Sequence, residues 1–423
     1  MTSSNTFEAL GLNEEIRLAI LNSGFTSPTL IQAKAIPEIL KGPDLLIEAQ
    51  TGSGKTACFA LPILQQISVN KQNQNSENCR IQALILTPTR ELALQISGAL
   101  FRFGEFLSNK VSVVTVIGGE SIAQQSLTLS NGVDIVVATP GRLLDLIKQN
   151  ALELRGIKFL VLDEADKILD LGFASELDLV LKEVSGPRQN LFFSATYPEK
   201  VLEIVQKIST TAVHLKIEDL APVVENIYQR VIQVNKENRG MLLRYLIKAE
   251  KWRNALVFVS SKTAAHNLCE KLKKSGINAG TIHGDLSQPE RNKALSDFKE
   301  YRIDILVATD VAARGIDINK LSLVLNFDLP RSSADYIHRI GRTGRAGQNG
   351  LAISFIGHED QAHFNLIEKR AKIKLIREEI KGFELTGIPQ DKIVSGQPIK
   401  GKRKSKKDKA REQLENQNLK IIN

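Results

Sequence analysis

Short apolar runs that end in small or polar residues recur along the first half of the chain at wide spacing. They are LLIEAQ (45–50), ALILTPTR (83–90), DIVVATP (134–140), FLVLDEAD (159–166) and LFFSAT (191–196). Amphipathic stretches typical of helices separate these runs. Strands that alternate with helices favour βαβ units and a parallel sheet, whose ligands bind beyond the carboxyl ends of the strands. The pattern predicts an α/β fold with functional residues at strand ends.

A second series of apolar runs follows residue 226, again with helical stretches between its members. It consists of ALVFVSS (255–261), AGTIHG (279–284), DILVATD (304–310), LVLNFD (323–328) and LAISFI (351–356). Between the two series, the segment IEDLAPVVEN has a proline, several charges and no clear period, which indicates a linker. We expect a first domain over 1–217, a linker over 218–226, a second domain over 227–379 and a basic, flexible C-terminal tail over 380–423.

Length and charge agree with this division. A chain of 423 residues exceeds what one hydrophobic core usually organises. The formal net charge is +9, and residues 391–423 hold ten Lys or Arg against four Asp or Glu, so this segment supplies six of the nine charges. A basic tail favours a polyanionic partner, although charge alone does not separate nucleic acid from a membrane surface.

The cysteines and the N-terminal segment indicate the cellular compartment in which the protein is expected. Cys58, Cys79 and Cys269 are widely separated and form no C-x-x-C pair, so neither a disulfide framework nor a zinc site is expected. The segment MTSSNTFEAL lacks a cationic start and a long apolar run, and no stretch of about 18 apolar residues occurs. We therefore expect a cytoplasmic protein with no membrane partner.

The segment AQTGSGKT stands between a predicted strand and a predicted helix, the context in which a phosphate-binding loop is credible. Glycines let backbone N–H groups turn toward phosphate oxygens, the lysine reaches the β and γ phosphates, and the threonine hydroxyl can bind Mg²⁺. The predicted ATP-binding residues of this loop are Ala49, Gln50, Thr51, Gly52, Ser53, Gly54, Lys55 and Thr56. Lys262 and Thr263 in the second half lack such glycines, so we expect one ATP per chain.

Two further motifs complete a candidate catalytic site with Lys55. Asp163, at the end of a predicted strand, is placed to hold Mg²⁺ through water, and Glu164 to polarise the water that attacks the γ phosphate. Alone, this acidic pair is more simply the first turn of a helix. In HRIGRTGR (338–345), three glycine-spaced arginines suit phosphates better than a helix face, although a solvated basic turn is the alternative. We expect Arg342 and Arg345 to reach the γ phosphate, which makes hydrolysis depend on domain closure.

These motifs resemble those of the DEAD-box RNA helicases of helicase superfamily 2, over about residues 7–357. Further matching motifs are GFTSPTLIQ (24–32), PTRELA (88–93), Gly118 with Gly119, TPGR (139–142), SAT (194–196), Gln288 with Arg291, and TDVAARGID (309–317). The resemblance implies two tandem RecA-like domains, each a mostly parallel sheet flanked by helices. It also implies an RNA-dependent ATPase that uses ATP and Mg²⁺ to separate short RNA duplexes locally. The compact core and basic tail most resemble the bacterial RhlE-like branch.

The resemblance also implies roles for individual residues. Gln32 would pair with adenine, Phe7 and Phe25 would flank it or pack in the core, and Gly315 and Asp317 would reach the ribose and phosphates. The residues implied to couple the two sites are Ser194, Thr196, Asp166 and His338. The residues implied to contact RNA, largely through its backbone, are Pro88, Thr89, Arg90, Gly119, Thr139, Gly141, Arg142, Gln288, Arg291 and Thr309.

Other functions stay open at this point. A non-hydrolysing, ATP-gated RNA clamp is disfavoured by Glu164, Arg342 and Arg345, and a DNA helicase with the same engine is disfavoured by the Gln32 segment and the DEAD sequence. The basic tail is either an electrostatic tether for RNA or a solubilising segment without a partner. Partners in ribonucleoprotein or ribosome assembly are not identified by the sequence.

Overall fold

The computed structural model describes residues 6–49, 53–73, 81–216, 227–313, 321–344, 349–371 and 373–387. Within these residues the chain forms two parallel sheets of seven strands each, flanked by helices. The strands of the first sheet are β1 (Leu45–Glu48), β2 (Ala83–Leu86), β3 (Val113–Val116), β4 (Ile135–Ala138), β5 (Phe159–Asp163), β6 (Gln189–Ser194) and β7 (Val213–Lys216). Those of the second are β8 (Ile227–Gln233), β9 (Ala255–Val259), β10 (Ala279–Ile282), β11 (Ile305–Thr309), β12 (Leu323–Asn326), β13 (Gly350–Ile356) and β14 (Arg377–Glu379).

Helices connect the strands and cover both faces of each sheet. In the first half they are α1 (Glu14–Asn22), α2 (Leu30–Lys41), α3 (Lys55–Asn73), α4 (Arg90–Gly104), α5 (Ile122–Ser130), α6 (Pro140–Lys148), α7 (Ala165–Asp170), α8 (Ala174–Glu183) and α9 (Glu199–Ile208). In the second half they are α10 (Arg239–Ala249), α11 (Lys262–Lys274), α12 (Gln288–Lys299), α13 (Asp310–Ala313), α14 (Ser333–Ile340) and α15 (Gln361–Ala371). Short 3₁₀ helices cover Phe7–Leu10, Lys236–Asn238 and His358–Asp360.

Burial on both faces explains why the central strands are almost wholly apolar. Along β2 and β4 every residue is buried, and alternate side chains enter cores on opposite faces of the first sheet. Ile85 and Phe193 lie in one core, whereas Leu84 and Phe192 lie in the other. Such continuous apolar runs are expected where helices cover both faces of a parallel sheet. This burial fixes which strand ends carry the polar residues of the site.

Polar caps set where the helices that follow these strands begin. The Thr89 hydroxyl accepts a hydrogen bond from the backbone N–H of Leu92 at the start of α4, and Ser261 caps α11 in the same way. Pro140 occupies the first turn of α6, where its missing N–H is not needed. The caps therefore hold helix N-termini against the carboxyl edge of each sheet.

The packed part of the second domain extends beyond the predicted boundary at residue 379. Ile380 and Phe383 pack against the core of the second domain, and the Thr386 N–H donates to Asn235 Oδ1 at 2.9 Å. These contacts hold the segment after β14 against the sheet. The sequence did not predict this, because glycines and charged residues interrupt the apolar pattern there. The predicted linker over 218–226, and the predicted tail beyond residue 387, lie outside the described residues. No helix in the described ranges is long and apolar enough to cross a membrane.

Candidate active site and interdomain groove

The strand β1 leads to the predicted phosphate loop, and α3 begins at Lys55. The Lys55 side chain is buried, and its Nζ donates a hydrogen bond to the carbonyl of Ala49 at 3.2 Å. This contact holds the ammonium group beside the carboxyl end of β1. Thr56 follows in the first turn of α3. The predicted ligands Gln50, Thr51 and Gly52 lie outside the described residues.

Gln32 is buried beside the phosphate loop and braces it. Its Oε1 accepts a hydrogen bond from the backbone N–H of Thr29 at 2.9 Å, and its Nε2 donates to the carbonyl of Gly54 at 3.3 Å. Gly54 has a φ of +96°, and a Cβ placed there would lie 2.5 Å from Gln32 Nε2, so a larger residue would displace the brace. Because the amide contacts the loop, its pairing with adenine stays a prediction.

The two phenylalanines predicted near adenine differ in their surroundings. Phe7 is partly buried and packs against the core of the first domain. Phe25 is 40% exposed, and its ring centroid lies 6.1 Å from that of Phe103. An exposed aromatic face suits the stacking of a base, whereas the Phe7 contacts are those of core packing.

The acidic pair lies at the end of β5. Asp163 is buried, its Oδ1 accepts a hydrogen bond from the Glu164 N–H at 2.9 Å, and burial raises the pKa of Asp163 to about 6 against the opposing effect of Lys55. Glu164 has a φ of +50°, a left-handed conformation that is uncommon outside glycine and typical of functional sites. Asp163 therefore lies near the lysine of the phosphate loop, and a strained turn follows it at Glu164.

Hydrogen bonds connect the start of α7 to the end of β6. The Thr196 hydroxyl donates to Asp166 Oδ2 at 3.1 Å, and the Asp166 N–H donates to the Ser194 hydroxyl oxygen at 3.3 Å. Ser194 in turn donates to the Thr196 carbonyl at 2.6 Å. Three of the four residues predicted to couple the sites therefore form one network next to the acidic pair.

The second domain faces this network across a cleft. Lys167 Nζ lies 3.4 Å from Asp335 Oδ1 on α14, and a cavity of about 30 Å³ is lined by Glu164, Lys167, Phe258, Asp310, Ala313, Asp335, His338, Arg339 and Arg342. Burial, with the Lys167 charge, lowers the pKa of His338 to about 4, so its imidazole is neutral at pH 7. The structure thus brings Arg342 and Glu164 to the same cavity. The predicted ligands Gly315, Asp317 and Arg345 lie outside the described residues.

One of the three arginines in HRIGRTGR has a structural role that the sequence did not reveal. Arg339 is buried, and its Nε and Nη2 contact the Asp310 carboxylate at 2.6 and 2.7 Å. Its Nη1 donates to Asn326 Oδ1 at 3.0 Å. Arg339 was not among the residues predicted to reach the γ phosphate, and partners within its own domain satisfy its donors.

A larger groove lies between residues of the two domains. This interdomain groove, about 530 Å³ in volume, is lined by Pro88, Thr89, Arg90, Glu91, Gly118, Gly119, Thr139, Gly141, Arg142, Asp145, Leu171, Phe173, Gly284, Leu286 and Arg291. It contains eight of the ten residues predicted to bind RNA. The other two are buried nearby, Thr309 at the end of β11 and Gln288 at the start of α12.

The glycine pair in the groove makes room for an arginine. Gly119 has a φ of +88°, and a Cβ there would collide with Arg90 Nη1. Arg142 Nη1 donates to the Glu120 carbonyl at 2.9 Å and to Gln125 Oε1 at 3.2 Å. Arg90 and Arg142 both line the wall that the first domain contributes.

Glu91, which the sequence analysis did not single out, also lines the groove. Its Oε1 lies 2.8 Å from Arg291 Nη2 of the second domain, and both side chains are nearly buried. The residues are 200 positions apart, so no local sequence signal could have paired them. No cluster of three or more His, Cys, Asp or Glu able to hold a metal ion occurs among the residues that the structure describes.

Sequence profiles and relatives identify the family. The DEAD/DEAH box helicase profile matches residues 29–204, and the helicase conserved C-terminal domain profile matches residues 238–347. The DEAD-box ATP-dependent RNA helicase CshA of Geobacillus kaustophilus is 40% identical over 372 residues, which make up 88% of this chain and 78% of that relative. The chain belongs to the DEAD-box helicase family.

Solved structures agree over both domains. Dbp5 of S. cerevisiae bound to RNA and ADP BeF3 is 33% identical with a TM-score of 0.76, covering 88% of this chain and 95% of that chain. Mss116p bound to ssRNA and AMP-PNP is 29% identical with a TM-score of 0.80, covering 90% and 80%. The predicted tandem RecA-like fold is confirmed. With the relatives, this shows that the protein is an ATP-dependent RNA helicase and an enzyme.

Proposed function

We propose that this helicase hydrolyses one ATP in the cleft between Lys55 and Arg342, and that RNA in the interdomain groove holds the domains closed for that reaction. The observation that supports this most strongly is the cavity lined by Glu164 of the first domain and Arg342 of the second. Neither domain alone offers both a carboxylate for the attacking water and an arginine for the phosphate charge. Hydrolysis therefore depends on closure.

In this proposal each residue of the cleft has a separate role in ATP hydrolysis. Lys55 binds the β and γ phosphates, Glu164 orients and polarises the attacking water, and Arg342 offsets the charge that develops on the γ phosphate. Arg345, Gly315, Asp317, Phe25 and Gln32 keep their predicted roles toward the nucleotide. The residues of the phosphate loop position the phosphates for in-line attack.

The residues present fit a magnesium ion. Mg²⁺ is commonly bound by one or two carboxylates together with substrate phosphates, so a three-carboxylate cluster is not required. Asp163 offers a buried carboxylate whose raised pKa reflects an incompletely compensated negative charge, and Thr56 offers a hydroxyl in the first turn of α3. When bound, the ion would neutralise phosphate charge.

RNA is proposed to bind along the interdomain groove through its backbone. The predicted contacts there are small, hydroxyl-bearing or cationic, which suits phosphates and 2′-hydroxyl groups better than base edges. Binding is therefore largely independent of sequence. A strand bent to follow both walls cannot remain in an A-form duplex, so a few base pairs open when the domains close.

The network of Ser194, Thr196 and Asp166 is proposed to couple the two events. Asp166 follows the acidic pair and affects the pKa of His338, and the hydrogen bonds of the network join two strand ends of the first sheet. RNA and ATP then act as mutual activators, because each stabilises the same closed arrangement. Hydrolysis and phosphate release reverse the closure.

Finer assignments stay predictions. The RhlE-like branch has no support from the relative reported above, which bears the name CshA. The proposal of a cytoplasmic location rests on the sequence, in which three widely separated cysteines form no C-x-x-C pair. The role of the tail as an RNA tether predicts that removing residues 391–423 weakens RNA binding and lowers its salt dependence.

Steady-state ATP hydrolysis with and without single-stranded RNA tests the proposal, with a matched DNA strand for comparison. We expect strong stimulation by RNA, weak stimulation by DNA, and none in Glu164→Gln. Equal stimulation by DNA would contradict the RNA-specific groove. Absence of hydrolysis under all conditions would instead support a non-hydrolysing clamp.

A further inference from the structure

Two aromatic rings lie side by side on the face of the second domain that α10 covers. The ring centroids of Tyr245 on α10 and of Phe383 after β14 are 5.5 Å apart, and the ring planes are tilted by 40°. Tyr245 is 50% exposed, and Met241, one turn before it on α10, is 48% exposed. These three residues form a contiguous surface, which we call the aromatic surface.

The folded segment after β14 holds Phe383 in place. Phe383 is partly buried against the core of the second domain, and its N–H donates to the Ile380 carbonyl at 2.8 Å. Thr386 and Asn235 exchange two hydrogen bonds, at 2.9 and 3.0 Å. Because the segment is fixed on both sides of the ring, a ligand that stacks there does not first have to order it.

The helix α10 does not need the aromatic surface for its own packing. Leu242, Leu243 and Leu246 are buried in the core beneath the helix. Met241 and Tyr245 lie on the opposite, solvent-facing side, where a helix of this kind usually has polar residues. Large apolar side chains that are contiguous and exposed are typical of a binding surface.

The charges around the aromatic surface favour an anionic ligand. Lys248 follows Tyr245 by one turn on the exposed side of α10, and Lys381 lies two residues before Phe383 and is also exposed. The nearby acid Glu384 accepts a hydrogen bond from the Gly382 N–H at 2.9 Å. Aromatic rings flanked by lysines suit single-stranded nucleic acid, whose bases stack while its phosphates contact the cations.

The course of the chain adds to this charge. The described part of the second domain ends at residue 387, directly after the hydrogen bonds of Thr386. The segment that follows holds ten Lys or Arg against four Asp or Glu over residues 391–423. The most basic part of the sequence is therefore attached next to the aromatic surface, so a polyanion is attracted to this side of the second domain.

We propose that the aromatic surface is a second RNA-binding site, which takes an unpaired strand that extends beyond the interdomain groove. Bases stack on Tyr245 and Phe383, and Lys248 and Lys381 contact phosphates. The inference rests on the proposed binding of RNA in the groove. It makes affinity depend on the length of the RNA and not on its sequence, because every base has a face that can stack.

The test compares two fluorescent single-stranded RNAs of about 8 and about 30 nucleotides, the shorter within the span of one binding fold. Their dissociation constants are measured on the full chain. We expect Tyr245→Ser to weaken binding of the long strand about fivefold or more, the low end for loss of one stacked base, and to leave the short strand unaffected. Tyr245→Phe keeps the ring and should bind the long strand as the wild type does.

The lysine beside the ring gives a second measurement. Lys248→Gln should make the slope of log affinity against log salt shallower by about 0.7 for the long strand, the value for one phosphate contact. The slope for the short strand should not change. An unchanged slope for the long strand would contradict the phosphate contact of Lys248.

A matched control separates the ring from a general effect of losing a surface tyrosine. Tyr301 is 69% exposed and follows α12, which packs on the other face of the second sheet, so Tyr301→Ser should alter neither dissociation constant. If Tyr245→Ser binds both strands as the wild type does, the second site is overturned and the surface is left to a protein partner. Equal losses for both strands would also overturn it, since they would indicate a structural effect.

Stimulation of ATP hydrolysis by the short strand keeps the groove distinct from the aromatic surface. Tyr245→Ser should retain this stimulation in full. A wild type whose hydrolysis no RNA stimulates would contradict the proposed function, whereas the comparison of strand lengths would still decide the second site.

Discussion

The two sheets have the same strand order, and they differ mainly at their strand ends. The first runs β3-β4-β2-β5-β6-β1-β7, and the second runs β10-β11-β9-β12-β13-β8-β14, which is the same order displaced by seven strands. Ile135 of β4 lies opposite Ala83, and Ile305 of β11 lies opposite Ala255. These registers allow the two sheets to be compared residue by residue.

The strand ends that face the interdomain groove are similar in both sheets. By the register, Thr139 after β4 corresponds to Thr309 at the end of β11, and Gly118 after β3 corresponds to Gly284 after β10. Hydroxyl groups and glycines therefore occur at matching positions on the two walls. Both domains therefore carry, at these strand ends, residue types that suit contacts with a nucleic-acid backbone.

The strand ends at the nucleotide differ sharply. The position of Asp163 is occupied in the second sheet by Phe327, and that of Ser194 by Ile356. Apolar residues there cannot hold a metal ion or transmit the state of the phosphates. The comparison teaches that the proposed RNA path is shared between the domains, whereas the carboxylates proposed for hydrolysis belong to the first domain and the second adds Arg342.

The largest predicted effect concerns the strand end of the first sheet at the nucleotide. Glu164→Gln removes the proposed general base while keeping the side-chain shape, so RNA-stimulated kcat should fall by about 10²–10⁴-fold. RNA binding in the presence of AMP-PNP should persist. Asp328 occupies the position in the second sheet that corresponds to Glu164. The variant Asp328→Asn loses an ion pair with Arg239, so it should lower thermal stability with little change in kcat. Comparable losses of kcat in both variants would contradict the asymmetry.

The next effect concerns the network that the second sheet lacks. Changing Ser194 and Thr196 together to Ala removes hydrogen bonds of about 1 kcal/mol each, so ATP-driven duplex release should fall about tenfold or more while hydrolysis continues. Strand displacement and ATP turnover measured in the same samples check this expectation. Duplex release at the wild-type rate would contradict the coupling role proposed for Ser194 and Thr196.

A smaller effect is expected for a single cation of the groove. Arg142→Gln should weaken binding of single-stranded RNA by a similar factor for all sequences, because its proposed contact is with the backbone. The slope of log affinity against log salt should become shallower by about 0.7, the value for one phosphate contact on a single strand. A loss confined to one sequence would indicate base reading instead.

The smallest effect compares glycines on the two walls. In Gly119→Ala the added methyl group would collide with Arg90, and the residue would have to adopt a positive φ. The change should therefore destabilise the first domain by about 1 kcal/mol and weaken RNA binding. Gly284→Ala has no positive φ, and its Cβ meets only the end of Lys262 at 3.3 Å, so its effect should be slight. Thermal melting and RNA titration of the two variants measure the difference; equal effects would argue against the Arg90 contact.

The sequence predicted the fold where burial leaves a clear pattern. The ten apolar runs correspond to ten of the fourteen described strands, because strands buried on both faces must be apolar. It did not predict β3, β7, β8 or β14. Of these, β7 and β14 lie at sheet edges and have exposed or charged side chains. Their positions are set by tertiary pairing with β1 and β8, which leaves no local signal.

The residues of the candidate active site were likewise predictable only where the sequence has a clear local pattern. Motifs at strand ends placed Lys55, Asp163 and Glu164 together, since the carboxyl ends of neighbouring parallel strands meet at one edge. The buried ion pairs of Arg339 and of Glu91 with Arg291 could not be read from the sequence, because a charged residue in a motif looks the same whether it faces a ligand or a distant partner.

The most direct test of the account is the distance between the domains during ligand binding. Donor and acceptor dyes at Asn131→Cys and Lys274→Cys, with Cys79 replaced by Ser, would report it through energy transfer, since Cys58 and Cys269 are buried. The account predicts that energy transfer changes fully only when RNA and AMP-PNP are both present, and that neither ligand alone suffices. A full change with AMP-PNP alone, or no change with both ligands, would contradict the claim that RNA and ATP share one closed state.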